Sequence, residues 1–150
     1  MLQQYCKMTD ADTIIGNIRA GGHRLTRIRV FMIRTLFEAQ RPLAPSEILT
    51  RLAGFDIRAD RTTVYRELRF LMEQNIVGHI KLGDHRNYYE ILTEHHHHLV
   101  CKGCKNVKAV VLDNHLEDEE RKIYKKEKFK VISHSLEFYG LCDSCLRKRA

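Results

Sequence analysis

Apolar residues recur at helical spacing in four successive segments of the first half of the chain, and each segment ends at a recognisable boundary. The segments span residues 10–20, 26–37, 45–54 and 60–74. Thr26 and Asp60 are good N-caps, while Gly21-Gly22 and Gly54 are typical helix stops. The pattern therefore predicts four helices joined by short connectors.

Two β-prone runs follow the fourth helical segment. They span residues 76–82 and 87–92, and Gly83-Asp84 between them is typical of a hairpin turn. Several helices followed by a hairpin form the arrangement of a winged helix-turn-helix, whose second paired helix enters the major groove of DNA. We therefore predict a winged-helix DNA-binding domain over residues 1–92.

The helix predicted over residues 60–74 has two chemically different faces. Its inward face is apolar and consists of Val64, Leu68, Leu71 and Met72. Its other face is basic and polar, with Arg61, Thr62, Thr63, Tyr65, Arg66 and Arg69. Taken alone, an arginine-rich face is more often a solvated surface. Its position after a short helix and before a hairpin favours a helix that contacts DNA.

Beyond the hairpin, short β-prone runs surround one charged helix. The β-prone runs span residues 99–102, 107–112, 129–134 and 136–141, and the helix runs from His115 to about Lys126. Half-exposed apolar strands in so small a domain are often completed by a partner chain. The predicted fold class is thus α+β, with a small α/β dimerisation domain over residues 93–150 and a homodimer as the assembly.

Charge and hydropathy narrow the class of protein. The chain has 150 residues and a formal net charge of +7, which suits an anionic partner. Arginine supplies most basic residues of the first half, and its planar guanidinium binds phosphates and guanine edges well. No apolar run approaches the roughly 18 residues that span a bilayer, and the N-terminus lacks a signal-peptide core. We expect a cytoplasmic protein that binds double-stranded DNA, with no membrane partner and no small-molecule substrate.

Four of the five cysteines form two C-x-x-C pairs. Cys101 and Cys104 form the first pair, and Cys142 and Cys145 form the second. Four thiolates complete the tetrahedral coordination of Zn²⁺, and a closed site of this kind is structural. A redox dithiol needs only one such pair, so the duplication argues against it. The sequence therefore predicts a structural zinc site.

Four consecutive histidines, His95 to His98, lead directly into the first cysteine pair. The run is internal, short and followed by apolar residues, which argues against a purification tag. In an extended strand, side chains alternate between faces, so His96 and His98 share one face and His95 and His97 the other. We predict a regulatory metal site of imidazole and carboxylate ligands. Its ligands are His79, Glu90, His96 and His98.

The opposite face of the histidine strand predicts an additional metal site. His95 and His97 would combine with His134 from a later strand and with one acid from the charged helix. Glu117 is the preferred acid, and His115 is its rival as a ligand. Asp118, Glu119 and Glu120 are adjacent alternatives, although such a cluster is often only a solvated acidic patch.

Together these motifs resemble the ferric uptake regulator family of metal-dependent bacterial repressors, which includes zinc, manganese and peroxide sensors. The resemblance runs from about Asp10 to Arg147. It rests on Arg24-Leu25-Thr26 with Arg29, on Thr62-Thr63-Val64-Tyr65-Arg66, on His95–His98 with Leu99-Val100-Cys101 and Cys104, and on His134-Ser135-Leu136 before Tyr139-Gly140 and Cys142. It implies that Tyr65 and Arg66 contact bases in the major groove and that Arg24 reaches the neighbouring minor groove.

The resemblance also implies roles for the candidate ligands, and the chain departs from the family pattern at several of them. The four cysteines match its structural zinc ligands. Glu90, His96 and His98 match its regulatory site, and His95, His97, Glu117 and His134 match its additional site. Pro42 stands where iron and peroxide sensors usually have a regulatory histidine, and Ala109-Val110 where they have an acid. Zinc sensors draw a hairpin ligand at the position of His79 but often use cysteine where this chain has Glu90.

The predicted function is therefore a homodimeric repressor that binds a palindromic operator when its regulatory metal is present. Metal loss would loosen a hinge near residues 92–94. A site without cysteine slightly favours Fe²⁺ over Zn²⁺, and Mn²⁺ also suits its ligands. Two other classes are a zinc hydrolase, with a metal-bound water at Glu90, His96 and His98, and a constitutive zinc-ribbon nucleic-acid binder.

Overall fold

Residue contacts divide the chain into two units, Met1–Glu94 and His95–Ala150. The predicted boundary lies two residues earlier, between positions 92 and 93. The computed structural model describes residues 10–82, 86–92, 96–112 and 116–148. None of the helices in these ranges is long and apolar enough to cross a membrane.

The first unit contains four helices followed by a two-stranded antiparallel ribbon. Its elements are α1 (Ala11–Ala20), α2 (Arg27–Ala39), α3 (Pro45–Gly54), α4 (Arg61–Glu73), β1 (Val77–Lys81) and β2 (Asn87–Ile91). The predicted caps Thr26 and Asp60 are present, and Asp10 caps α1 in the same way: the side chain of each accepts a hydrogen bond from the backbone N–H three residues later. The predicted turn at Gly83-Asp84 lies outside the described residues.

One apolar core joins the elements of the first unit. The inward positions of all four helices contribute to it, including Ile14, Met32, Leu52 and Leu68, each 0% exposed. Two backbone hydrogen bonds between Leu43 and Tyr89 tie the α2–α3 connector to β2. The shared core holds α3 and α4 together, and these hydrogen bonds tie the connector before α3 to the ribbon. This is the arrangement that the winged helix-turn-helix prediction requires.

The second unit is a three-stranded sheet with two helices. Its elements are β3 (His97–Cys101), β4 (Val107–Val110), α5 (Glu117–Glu127), β5 (Glu137–Gly140) and α6 (Asp143–Arg147). The strand order is β4-β3-β5, with β4 antiparallel and β5 parallel to the central β3. The prediction of a strand over residues 129–134 is wrong. That run is β-prone but forms no strand, and of the described residues after α5 only 137–140 form a strand, which pairs with β3.

The second unit leaves many large apolar side chains in contact with solvent. Among its described residues, exposed examples are Leu99, Val111, Ile123, Tyr124, Phe129, Ile132, Phe138, Tyr139 and Leu146. Ile132, at 77%, and Val111, at 67%, are the most exposed of these. So many exposed apolar side chains on a small domain are in keeping with the predicted dimerisation role.

Candidate metal centres and DNA-contact surface

Four cysteines from two distant segments meet at one end of the sheet in the second unit. Cys101 ends β3 and Cys104 follows in the next turn, while Cys142 caps α6 and Cys145 lies within that helix. The four sulfur atoms all lie within 4.8 Å of one another. The Sγ atoms of Cys104 and Cys142 are 3.7 Å apart, close to the roughly 3.8 Å expected between thiolates bound tetrahedrally to one Zn²⁺.

Local backbone contacts shape this cysteine cluster. The N–H of Lys102 donates to the carbonyl of Gly140 at 2.7 Å, and the N–H of Cys142 donates to Sγ of Cys101 at 3.3 Å. A Cβ atom on Gly103 would lie 2.8 Å from Sγ of Cys145, so a larger residue at this point of the turn would displace that sulfur atom. The two C-x-x-C segments are therefore held face to face.

The thiols of the cluster differ in acidity. Backbone N–H groups, led by that of Cys142, lower the pKa of Cys101 to about 6. A hydrogen bond with the Cys142 sulfur raises the pKa of Cys145 to about 12. Four thiolates therefore do not coexist near neutral pH without a cation. A bound zinc ion would supply this positive charge, and the four cysteines would bind it as thiolates. The cluster fits a closed, structural zinc site.

The histidine run alternates between two faces, as its sequence predicts. The rings of His96 and His98 are neighbours, with centroids 5.0 Å apart. His97 points the other way and stacks on His134, with centroids 5.5 Å apart and ring planes at 28°. Ala109 lies opposite His98 on β4, so β4 offers no ligand at that register position. His95 lies outside the described residues.

The acid beside His134 is Glu120 rather than Glu117. Nδ1 of His134 lies 2.7 Å from Oε1 of Glu120, and the two side chains are 21% and 34% exposed. Glu117, the predicted ligand, is the exposed first residue of α5, and its role as a metal ligand stays a prediction. Glu120 comes one helical turn later, on the side of α5 that meets His134. The rival ligand His115 lies outside the described residues.

His79 and Glu90 lie on opposite faces of the ribbon in the first unit. His79 pairs with Tyr89 across the two strands, and Glu90 pairs with Gly78. Because successive strand residues alternate between faces, the two side chains point in opposite directions. Nε2 of His79 lies 2.8 Å from Oδ1 of Asn87, and its ring packs against Tyr89. The structure therefore separates His79 from Glu90, contrary to the predicted four-ligand set.

The outward face of α4 is accessible. Arg61, Thr62, Tyr65 and Arg66 are exposed, as the predicted DNA-contact surface requires. Thr63 is half-buried and contributes to the helix start: its N–H donates to Oδ1 of Asp60 at 2.7 Å, and this bond lowers the pKa of that carboxyl. Arg24 is also exposed, in the connector before α2.

Behind this surface lies a buried ion pair that was not predicted from the sequence. Nε of Arg29 on α2 donates to Oε2 of Glu67 on α4 at 2.8 Å. The sequence contains a signal for this pair: Glu67 lies on the apolar stripe of α4, between Val64 and Leu71 at helical spacing. A carboxylate at such a position requires a buried cationic partner.

Comparison with known proteins matches the model of the ferric uptake regulator family to residues 20–139. The ferric uptake regulation protein of Bacillus subtilis is 32% identical over 139 residues, covering 89% of this chain and 93% of that protein. Its counterpart from Campylobacter jejuni is 29% identical over 137 residues, covering 89% and 86%. The solved structure of the Helicobacter pylori ferric uptake regulator superposes with a TM-score of 0.78 at 25% identity, covering 94% and 97%.

Proposed function

Because this chain belongs to the ferric uptake regulator family, we propose that it is a metal-responsive transcriptional repressor that binds operator DNA as a homodimer. Its relatives are regulators of transcription rather than enzymes, so the zinc hydrolase alternative is set aside. One observation carries the proposal: the arginine-rich outward face of α4 is accessible in a unit with the winged-helix element order. We place its action in the cytoplasm, where it would meet DNA and keep its thiols reduced.

The DNA contacts are assigned to α4 and to the connector before α2. Arg61, Thr62, Thr63, Tyr65 and Arg66 would lie along the major groove, where guanidinium and hydroxyl groups read base edges. Arg24 would enter the adjacent minor groove. The dimer places two such helices on a palindromic site roughly one helical turn apart. The exposed apolar side chains of the second unit support this assembly.

The regulatory site is assigned to Glu90, His96 and His98, without His79. His96 and His98 share one face of the histidine strand. Glu90 precedes them by one short connector and belongs to the ribbon that follows α4. A metal ion bound by all three would favour one arrangement of the DNA-binding unit, and metal loss would release it. His96 and His98 alone offer too few ligands, so the carboxylate is essential.

The ligand types favour Fe²⁺ slightly as the sensed ion. Imidazole and carboxylate groups suit Fe²⁺, Mn²⁺ and Zn²⁺, and the proposed set contains no cysteine. The curated relatives described above are named ferric uptake regulation proteins. The alternative is a zinc-sensing repressor with the same architecture. The four-cysteine site binds structural Zn²⁺ in either case.

An additional metal site is assigned to the face of β3 that carries His97. The stacked rings of His97 and His134 and the carboxylate of Glu120 supply nitrogen and oxygen ligands there. The Helicobacter pylori regulator has three functional metal-binding sites. We propose a corresponding third site here, with Glu120 in the place first given to Glu117 and with His95 as the remaining candidate.

Selection from a random duplex pool tests the proposed function. The purified homodimer, with zinc in its cysteine site, is incubated with the pool in Fe²⁺, Mn²⁺, Zn²⁺ or chelator. We expect enrichment of a palindromic sequence only with added metal, and Fe²⁺ should be effective at the lowest free concentration. Enrichment at the lowest concentration with Zn²⁺ would favour the zinc-sensing alternative. Equal enrichment with chelator would indicate a constitutive DNA binder instead.

A further inference from the structure

Arg29 on α2 joins three parts of the first unit through one guanidinium group. Its Nε donates to Oε2 of Glu67 at 2.8 Å, and its Nη1 donates to the backbone carbonyl of Arg24 at 2.6 Å. Its Cζ lies 3.6 Å from the centre of the Phe70 ring. Glu67 and Phe70 belong to α4, and Arg24 belongs to the connector before α2. One side chain therefore links both proposed DNA-contact segments.

The ion pair between Arg29 and Glu67 is almost fully buried. The side chains of Arg29 and Glu67 are only 12% and 8% exposed. A buried ion pair contributes little net stability, since the loss of hydration offsets the attraction between the charges. An apolar pair of similar volume would fill the same space. Arg29 therefore differs from an apolar residue of similar volume chiefly in the direction of its N–H donors, and its charge alone does not explain its presence.

The connector that carries Arg24 is held on both sides of this residue. The His23 ring packs edge-on against Phe70, with centroids 5.2 Å apart. Oγ1 of Thr26 accepts the N–H of Arg29 at 3.1 Å. The main chain of Arg24 is thus fixed against α2 and α4, while its side chain is exposed.

We propose that Arg29 is a positioning residue that sets the main chain of Arg24 relative to α4, so that minor-groove and major-groove contacts form in one register. The inference rests on the proposed DNA-binding function. Lysine cannot replace arginine here, because an ammonium group lacks the planar fork that bonds Glu67 and the Arg24 carbonyl while lying flat on Phe70. Arg29 itself need not touch DNA.

A double-mutant cycle on the metal-loaded homodimer tests this role. The probe is the duplex selected from a random pool by the wild-type protein, and Kd is measured by fluorescence anisotropy. Arg29→Lys and Arg24→Ala are made singly and together. Arg34→Lys is the matched control, because Arg34 lies on the same helix and makes an exposed ion pair with Asp12. Arg29→Met with Glu67→Leu is a second route that leaves no unpaired buried charge.

We expect Arg29→Lys to weaken binding about tenfold and Arg34→Lys by less than about twofold. In the Arg24→Ala background, Arg29→Lys should cost less than about twofold, because the two residues act as one unit. Arg29→Lys should also reduce the preference for A·T over G·C pairs at the minor-groove positions read by Arg24. The Arg29→Met/Glu67→Leu protein should show the same pattern.

Two kinds of result contradict the inference, and they are distinguishable. If the wild type selects a metal-dependent duplex but Arg29→Lys behaves like Arg34→Lys, the positioning role is wrong and the proposed function stands. If Arg29→Lys weakens DNA binding equally in the wild-type and Arg24→Ala backgrounds, the conclusion is the same, because Arg29 then has only a general structural role. If the wild type selects no duplex in any metal, the proposed function fails and the inference fails with it.

Discussion

At the scale of single residues, Thr35 is a polar residue within the apolar core of the first unit. It is 1% exposed, and its Oγ1 has no hydrogen-bond partner in the described part of the chain. A buried hydroxyl without a partner costs about 1–3 kcal/mol. Thr35→Val removes this cost while keeping the side-chain shape, so it should raise the free energy of unfolding by about 1 kcal/mol in urea denaturation.

Thr50→Val is the control for this substitution. Oγ1 of Thr50 donates to the carbonyl of Ser46 at 3.0 Å on the exposed side of α3, so the same change there removes a satisfied group. We expect no gain in stability for Thr50→Val. A greater loss of stability for Thr35→Val than for Thr50→Val would show that the buried hydroxyl is satisfied in solution.

Gly103 lies in close contact with the proposed zinc site. Because an added Cβ would lie 2.8 Å from Sγ of Cys145, Gly103→Ala must move a proposed zinc ligand. We expect zinc affinity to fall about tenfold or more, measured by competition with a chromogenic chelator. Gly140→Ala is the matched control, since a Cβ there meets open space. Equal zinc affinity in the two variants would exclude the proposed crowding.

At the scale of elements, the run from His96 through β3 alternates between two proposed metal sites. His96→Ala removes a proposed regulatory ligand, so it should weaken metal binding at that site at least about tenfold with little change in unfolding. His97 is 1% exposed and stacks on His134, so His97→Ala should destabilise the second unit by about 2 kcal/mol. Calorimetric metal titration and thermal unfolding measure the two effects. Equal losses of unfolding stability in the two variants would contradict the division.

The helices of the first unit could be predicted from the sequence because their signals are local. Caps such as Asp60 and the apolar spacing of Val64, Leu68 and Leu71 are readable within one segment, and the structure contains both. The four-cysteine cluster was also readable, because two C-x-x-C pairs supply the four ligands that zinc requires.

The missed features depend on partners distant in sequence. The face of His79 depends on the register of β1 with β2, which a hydrophobic pattern does not reveal. The choice between Glu117 and Glu120 depends on how α5 rotates against His134. The run 129–134 has β-prone residues, but a strand also requires a neighbour with free backbone groups. In each case the residue types indicated the kind of ligand or element, but only the three-dimensional arrangement shows which residues take part.

At the scale of the whole molecule, the two units should respond differently to loss of structural zinc. The first unit has its own apolar core, whereas the second buries few side chains around its cysteine cluster. Cys101→Ser should therefore dissociate the dimer and unfold the second unit, because metal binding there is coupled to folding. The helices of the first unit should persist. Light scattering and circular dichroism measure these two outcomes, and a stable zinc-free dimer would contradict the expectation.

The central claim is that metal at Glu90, His96 and His98 controls DNA binding. Fluorescence anisotropy of the selected duplex, titrated with homodimer at fixed free Fe²⁺ or with chelator, tests it most directly. The structural zinc must be retained in both conditions. We predict that metal tightens binding at least about tenfold and that Glu90→Gln and His96→Ala abolish this gain without unfolding the protein. Equal operator affinity with and without metal in the wild type would contradict the account.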